Sequence, residues 1–205
     1  MVVIFIKNNY SIICEEILNN FKEKKKLLLH SCCAPCSSYV ISYLTNFFDI
    51  TVLYYNPNIY PYEEYEKRKN EQLRLIKSLK TKNKISFIDC DYDNDKYILL
   101  IKGLEKEKEK GKRCNICYQM RMEKAAVLAK KGNYDYFCTT LSVSPYKNVN
   151  LINEIGENLA KKYDIKWLYS DFKKKDGYKK SILLSQKYNL YRQDYCGCIY
   201  SKRQT

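Results

Sequence analysis

Short apolar runs alternate with longer helix-like segments along most of this chain, and this alternation constrains its fold more than any other feature. Runs rich in β-branched and aromatic residues predict five strands, LLLH (27–30), ITVLYY (50–55), ISFIDC (85–90), YDYFCT (134–139) and IKWLYS (165–170). Elsewhere, apolar residues spaced three or four apart predict helices over 37–48, 61–80, 94–104, 117–131, 150–163 and 178–189. Strands that alternate with helices predict a parallel sheet with helices on both faces.

The ten cysteines do not have an obvious structural role. At 205 residues the chain is long enough to bury a hydrophobic core without covalent cross-links, and no Pro-, Gly- or Ser-rich linker divides it. Its first residues, MVVIFIKNNY, lack the basic segment of a signal peptide, and no apolar run has the length of a membrane span. We therefore expect a cytoplasmic protein, in which clustered cysteines indicate metal binding or catalysis rather than disulfides.

Polar and thiol side chains follow every predicted strand. Ligands of parallel α/β sheets bind beyond the carboxyl ends of the strands, so we expect one functional site at this edge. The residues concerned are His30, Cys32, Cys33 and Cys36 after the first strand, then Tyr55, Asn56, Asp89, Cys90, Asp91, Cys138, Thr139, Thr140, Ser142, Ser170 and Asp171.

Three cysteine motifs carry the chemistry. In RCNICY (113–118), a C-x-x-C opens a helix, where the helix dipole is expected to lower the thiol pKa values. In CGC (196–198), the single glycine leaves too little chain for a relaxed disulfide, which suits a redox pair. In SCCAPC (31–36), the adjacent cysteines Cys32 and Cys33 fit an iron–sulfur cluster better than a tetrahedral zinc site. Cys33 and Cys36 have the spacing of a thioredoxin-like motif, but that interpretation would leave the cysteines of the other two motifs unexplained.

The remaining cysteines and the single histidine have simpler interpretations. Cys14 and Cys138 fall among apolar neighbours and are interpreted as small buried hydrophobic residues. Cys90 lies closer to the expected site, and its role stays open. His30 is interpreted as a hydrogen-bonded core residue, with support of a metal site as the alternative.

Five segments, taken in order, resemble the epoxyqueuosine reductases of the QueH type, the cobalamin-independent family. They are LLLHSCCAPCSSYV, YYNPNIYPYEEYEKR, GKRCNICYQMRM, TTLSVSPYKN and YRQDYCGCIYS, and the likeness spans about residues 27 to 200. The resemblance implies reduction of epoxyqueuosine to queuosine in the anticodon loop of tRNA, the last step of queuosine biosynthesis. It also implies that an electron donor is a second partner and that the protein does not associate with a membrane.

The resemblance also implies the cofactors and their residues. Cys32, Cys33, Cys114 and Cys117 would hold a 4Fe-4S cluster, and Cys196 with Cys198 would form the catalytic, redox-active dithiol. One additional iron ion would lie beside the cluster. Some members of the family carry Asp at the position of Cys36, so it stays open whether Cys36 binds this second metal. Cys196 and Cys198 are further candidates for its ligands.

The charge of the chain agrees with a nucleic-acid partner. Lys and Arg number 37 and Asp and Glu number 23, which gives a net charge of +14. Genome base composition alone also produces chains rich in Lys, Asn, Ile and Tyr. For a tRNA target, FKKKDGYKK (172–180) is the first candidate for phosphate contacts, followed by Lys112, Arg113 and Lys147. EKEKEKGKR (105–113) predicts a solvated loop or a flap beside Cys114 and Cys117.

We therefore expect a single α/β domain of the Rossmann-like type over residues 27–200, after a helical segment over 1–26 and before a tail over 201–205. Two other functions fit the sequence: a zinc-stabilised RNA-binding module, and a cluster-dependent tRNA sulfur transferase. The second is disfavoured because SCCAPCSS lacks the glycines of the S-G-G-x-D-S loop that binds phosphate in that type.

Overall fold

Five parallel strands form one sheet in the order β3-β2-β1-β4-β5. The structure is a computed structural model and describes residues 9–81, 83 and 85–201. The strands are β1 (Lys25–His30), β2 (Phe48–Tyr54), β3 (Ser86–Asp89), β4 (Tyr136–Thr139) and β5 (Lys166–Trp167). Each lies within or overlaps one of the predicted strands, and each neighbouring pair is parallel. The predicted parallel sheet is confirmed.

Seven α-helices accompany the sheet in the described part of the chain. They are α1 (Tyr10–Asn19), α2 (Ala34–Leu44), α3 (Tyr62–Ser78), α4 (Asn94–Leu100), α5 (Lys112–Lys131), α6 (Val149–Tyr163) and α7 (Gly177–Lys187). Helix α5 stops at Gly132, after Lys130 and Lys131 in its last turn, as the sequence predicts. Helix α2 begins three residues earlier than predicted, so Cys36 lies in its first turn.

The strand order reverses direction at β1, and this reversal locates the site. The chain runs outward from β1 to β2 and β3, then crosses back to β4 and β5 on the other side of β1. Helix α2 packs against α3 and α7, whereas α5 packs against α4 and α6. Right-handed crossovers in the two directions place these two groups of helices on opposite faces, which is the Rossmann-like arrangement. The crevice between the carboxyl ends of β1 and β4 is the topological switch point.

The centre of the sheet is buried on both faces. Leu27, Leu28 and Leu29 of β1 are completely inaccessible to solvent. Burial on both faces explains why the first predicted strand is a continuous apolar run without alternating polar residues. Among the described helices, none has both the length and the hydrophobicity needed to cross a bilayer.

The predicted terminal segments are described only in part. Helix α1 lies within the predicted segment 1–26, and β1 already begins inside it, at Lys25. Residues 1–8 of that segment, and residues 202–205 of the predicted tail, lie outside the described residues.

Gly156 in α6 permits close packing of the helix on Trp167 of β5, and Gly156→Ala is expected to destabilise the fold. A Cβ atom at position 156 would approach two indole carbons to 2.3 Å, and the rigid ring has little room to move. We expect a loss of about 1–3 kcal/mol in the free energy of unfolding, although alanine is the better helix former. Urea unfolding followed by circular dichroism measures this loss. The control Asn158→Ala changes an exposed position of the same helix and should be near neutral; equal midpoints for the two variants would contradict the packing argument.

Candidate metal centre

The SCCAPC motif forms a compact group of three thiols directly after β1. Cys33 is the extended residue that precedes α2, and Pro35 and Cys36 lie in the first turn of that helix. This turn brings the Cys36 thiol back beside the adjacent pair, in which the two Sγ atoms are 3.9 Å apart. The ligand atoms of Cys32, Cys33 and Cys36 all lie within 4.8 Å of one another. Three soft thiol ligands at this spacing can hold a metal ion.

The pKa values of the three thiols in this group depend on one another. The pKa of Cys33 is lowered because the thiols of Cys32 and Cys36 can donate hydrogen bonds to its thiolate. The same contacts raise the pKa of Cys32 to about 11 and also raise the pKa of Cys36. The thiolate is the form of cysteine that binds metal, and within this group the contacts favour it at Cys33.

Thr140, the residue after β4, holds this group at the switch point. The backbone N–H of Cys32 donates to Thr140 Oγ1 at 3.2 Å, and the Thr140 hydroxyl donates to Cys32 Sγ at 3.3 Å. Thr140 follows β4 directly, while Cys32 follows β1. The two strands are hydrogen-bonded neighbours, so these contacts tie the thiols to the crevice between them.

The other two motifs meet in a second group. Cys114 and Cys117 from the start of α5 and Cys196 and Cys198 from the CGC motif line one small cavity of about 10 Å³. This volume holds no more than about one water molecule. The hydroxyl of Tyr97 lies 3.4 Å from Cys198 Sγ. All ten cysteines belong to the described part of the chain, and each is free.

Gly197 is required for the conformation of the CGC motif. Its φ of +102° lies in the left-handed region, and a Cβ atom there would come within 2.9 Å of both Arg68 Nη1 and Ile59 Cγ1. Arg68 also donates to the carbonyl of Cys196 at 3.3 Å, and its Nε donates to Glu64 at 2.7 Å. A buried ion pair thus fixes the motif beside the start of α5.

A buried lysine contacts the dithiol. Lys147 Nζ lies 3.2 Å from Cys196 Sγ and 2.9 Å from Glu109 Oε1. Burial opposes its charge, but the neighbouring thiol and carboxylate outweigh burial and raise the pKa of Lys147. Glu109 belongs to the EKEKEKGKR segment, which therefore lies beside Cys114 and Cys117, as the flap alternative requires.

Burial contradicts the expected pKa values of the C-x-x-C thiols. It raises the pKa of Cys117 to about 12 and also raises the pKa of Cys114. The prediction that the helix N-terminus lowers these values is therefore wrong for the metal-free protein, because loss of water disfavours a thiolate. Among the candidate phosphate contacts, Lys112 is exposed, but Arg113 is buried and bonded to two backbone carbonyls.

The four predicted cluster ligands are divided between the two groups, and one arginine interacts with both. Arg121 of α5 donates through Nε to the carbonyl of Cys117 at 3.2 Å. Its Nη1 donates to Asn56 Oδ1 at 3.3 Å, and Asn56 Nδ2 donates to the carbonyl of Ser31, the first residue of the SCCAPC motif. Hydrogen bonds thus connect the buried guanidinium of Arg121 to both cysteine groups.

The other chemically active residues have structural roles. Cys14 and Cys138 are buried in the core, as predicted. Cys90 is partly exposed, and burial raises its pKa to about 11. His30 is fully buried between Thr139 Oγ1, 2.8 Å from Nδ1, and the Tyr55 carbonyl, 3.1 Å from Nε2. The interpretation of His30 as a hydrogen-bonded core residue is confirmed.

Most of the chain, in a range that includes the three cysteine motifs, matches a known family of proteins. The model of the family described as "Epoxyqueuosine reductase QueH" matches residues 27–204. This chain belongs to the QueH family. An epoxyqueuosine reductase QueH of Streptococcus pyogenes is 39% identical over 96% of this chain and 79% of the relative. The QueH of Haemophilus influenzae is 44% identical over 88% of this chain and 73% of the relative. That of Thermotoga maritima is 33% identical over 85% of this chain and 89% of the relative.

The match to the QueH family includes all three motifs and also Arg121, whose importance the sequence analysis missed. A signal was present, because Arg121 follows Cys117 by four residues and so lies on the same face of α5. An arginine on the cysteine-bearing face of a helix was a candidate for the site. Tyr97 was missed as well, and no sequence pattern points to it.

In the metal-free protein, His30 should stay neutral over the physiological pH range. Burial, followed by the nearby Arg121 charge, lowers the pKa of His30 from 6.5 to about 3. Because the unfolded chain takes up this proton below pH 6.5 and the folded chain does not, acidification from pH 6.5 should cost about 1.4 kcal/mol of stability per pH unit. The imidazole resonances of this single histidine, followed by NMR, should not move between pH 8 and pH 5; a midpoint near 6.5 would contradict the burial. In a His30→Asn variant, the pH dependence should be correspondingly weaker.

Proposed function

We propose that this protein reduces epoxyqueuosine to queuosine in the anticodon loop of tRNA, with an iron–sulfur centre and a dithiol as its redox groups. Two observations support the proposal in a chain of the QueH family: the SCCAPC thiols are grouped at the switch point of the sheet, and the C-x-x-C and CGC motifs line one cavity. The relatives named above are epoxyqueuosine reductases. Ligands bind at such switch points in other α/β sheets.

The donor set fits an iron–sulfur centre. Thiolates are the ligands that iron–sulfur clusters require, and the first group supplies three thiols within 4.8 Å. In our proposal Cys32, Cys33, Cys114 and Cys117 hold the 4Fe-4S cluster. Cys36, Cys196 and Cys198 are the candidate ligands of an additional iron ion. When bound, such a centre supplies single-electron transfer and Lewis acidity toward oxygen.

The dithiol can balance the reaction. Conversion of an epoxide to an alkene breaks two carbon–oxygen bonds and releases the oxygen as water, which requires two electrons and two protons. Oxidation of Cys196 and Cys198 to one disulfide releases two electrons and two protons. Lys147 Nζ donates a hydrogen bond to Cys196 Sγ at 3.2 Å and so helps to position this pair. A partner reductant then returns the disulfide to two thiols.

The basic surface near the site suits a tRNA loop. The segment after β5 presents exposed lysines at the same edge of the sheet as the cysteines, about 10 Å from β1 across two strand spacings. These lysines are Lys174, Lys175, Lys179 and Lys180. Tyr146 and Tyr200 are exposed and lie within two residues of Lys147 and Cys198. Lysines contact phosphates and tyrosines stack on unpaired bases in single-stranded RNA.

Cys117→Ala should abolish the iron–sulfur centre and epoxyqueuosine reduction together, because it removes a ligand buried at the site. Wild-type protein purified and reconstituted without oxygen should be brown, and with a chemical reductant it should convert epoxyqueuosine-containing tRNA to queuosine. Iron analysis measures the iron content, visible absorption measures the iron–sulfur centre, and mass spectrometry of the nucleosides measures the conversion of epoxyqueuosine. The matched control is Cys90→Ala, which removes a partly exposed thiol outside both cysteine groups and should retain iron and activity.

Two outcomes would contradict the proposed function. Brown protein that leaves epoxyqueuosine unchanged under these conditions would refute the activity. Colourless protein that carries zinc would instead favour an RNA-binding module, which three clustered thiols also permit.

Binding of a tRNA anticodon stem-loop should weaken steeply as salt concentration rises, because lysine–phosphate contacts release counterions. The double variant Lys174→Gln/Lys179→Gln should lower the slope of log Kd against log salt by about 1–2. The control Lys24→Gln/Lys131→Gln removes the same charge from exposed residues at the opposite edge of the sheet, before β1 and at the end of α5. Fluorescence anisotropy measures both; equal slopes for the two double variants would show that the segment after β5 does not contact phosphate.

A further inference from the structure

Arg121 is a buried positive charge without an ionic partner among the described residues. Its side chain is only 2% exposed. It makes two hydrogen bonds, to the Cys117 carbonyl at 3.2 Å and to Asn56 Oδ1 at 3.3 Å, and both acceptors are neutral. The Nη2 atom is buried and has no hydrogen-bond partner in the described part of the chain. None of the ion pairs between described residues includes Arg121.

Two other arginines of the chain have carboxylate partners. Arg68 is equally buried but pairs with Glu64 at 2.7 Å, and Arg74 pairs with Glu71 at 2.6 Å. Arg113, also 2% exposed, resembles Arg121: among the described residues it has no carboxylate partner, and its Nε is buried without a hydrogen bond. Its Nη1, however, donates to two carbonyls at 2.8 and 2.9 Å, whereas both hydrogen bonds of Arg121 are longer than 3 Å. A buried charge of this kind is costly unless an anion offsets it.

The position of Arg121 indicates where that anion belongs. Its Nε donates to the carbonyl of Cys117, which lines the same cavity as Cys196 and Cys198. Its Nη1 donates to Asn56 Oδ1, and Asn56 Nδ2 donates to the carbonyl of Ser31 at the start of the SCCAPC motif. The nearby His30 cannot share this role, because both of its ring nitrogens are occupied by Thr139 and by the Tyr55 carbonyl. Lys147, another cation at the site, already has Glu109 as its partner. Arg113 lines the cavity of the second group but no hydrogen bond between described residues joins it to the SCCAPC motif. Among the described residues, Arg121 is thus the cation without an ionic partner that hydrogen bonds connect to both cysteine groups.

We propose that Arg121 is the internal counter-charge of the thiolate-ligated centre and raises its reduction potential. This inference rests on the proposed function, because it requires an anionic iron–thiolate group at the site. Addition of one electron changes no bond and makes such a group more negative by one charge. A fixed positive charge in a site of low dielectric stabilises the reduced form more than the oxidised form. Arg121 is therefore a positioning residue that favours uptake of an electron.

The test compares three variants in the reconstituted protein under anaerobic conditions. Arg121→Met removes the charge and keeps the length of the side chain, Arg121→Lys keeps the charge, and Arg121→Gln is a second neutral variant in case the first does not fold. The control Arg74→Met removes an arginine that pairs with Glu71 on α3, outside the site. Titration with dithionite, followed by electron paramagnetic resonance, gives the midpoint potential. Iron release to a chelator and thermal unfolding, with and without the metal, give two further readouts.

We expect neutral variants at position 121 to make one-electron reduction at least tenfold less favourable, which is a shift of about 59 mV to more negative potential. Iron release should be at least tenfold faster, whereas Arg121→Lys and Arg74→Met should remain close to wild type in both measurements. The neutral variants should lower the unfolding temperature much more in the loaded protein than in the metal-free protein, because only the loaded site contains the compensating anion.

Each other outcome has a definite meaning. An unchanged potential and unchanged iron release in Arg121→Met or Arg121→Gln would overturn the inference, even if the wild type reduces epoxyqueuosine. A shifted potential in a protein that does not reduce epoxyqueuosine would support the counter-charge and refute the proposed function. Equal destabilisation of the loaded and metal-free forms would assign Arg121 to the fold alone. Wild-type protein that takes up no iron would overturn both.

Discussion

The parallel pairing of β1 with β4 is the contact on which the site depends. In this register His30 lies opposite Thr139, so the residues that leave the two strands start side by side. Cys32 and Thr140 then meet through two hydrogen bonds, and the thiol group forms at the mouth of the crevice. Because the chain turns outward in opposite directions from these two strands, no crossover helix covers the crevice. A different strand order would leave the same motifs without a common site.

Buried positive charges organise the space around the thiols. Arg68 fixes the CGC motif through the Cys196 carbonyl, and Lys147 contacts the Cys196 thiol. Arg121 is bonded to the Cys117 carbonyl and, through Asn56, to the backbone of the SCCAPC motif. Two of these cations have carboxylate partners, and Arg121 has none among the described residues. The interior near the thiols therefore contains buried positive charges, in a chain whose net charge is also positive. Such a site favours anionic ligands, because salt and water screen buried charges much less than exposed ones.

Local patterns predicted the elements of this fold well. All five strands and the six predicted helices are present, because apolar periodicity follows directly from which side chains of a strand or helix are buried. Boundaries were less accurate, as the early start of α2 shows. Predictions that depend on burial at the site failed in part. The thiols of Cys114 and Cys117 have raised pKa values, and Arg113 bonds to backbone carbonyls in the interior. The RCNICY motif indicates where α5 begins, but it does not indicate how much of the start of this helix will be buried by the rest of the protein.

The sequence by itself determined the type of each element, the three cysteine motifs and the likeness to the QueH family, since all of these are written in residues close together along the chain. Only the tertiary structure decided which thiols share a group, that Gly197 fits against Arg68, and that hydrogen bonds connect Arg121 to both cysteine groups. These relations join residues about a hundred positions apart, such as Cys32 and Thr140. Their distances depend on strand order and helix packing, and no local periodicity encodes either of them.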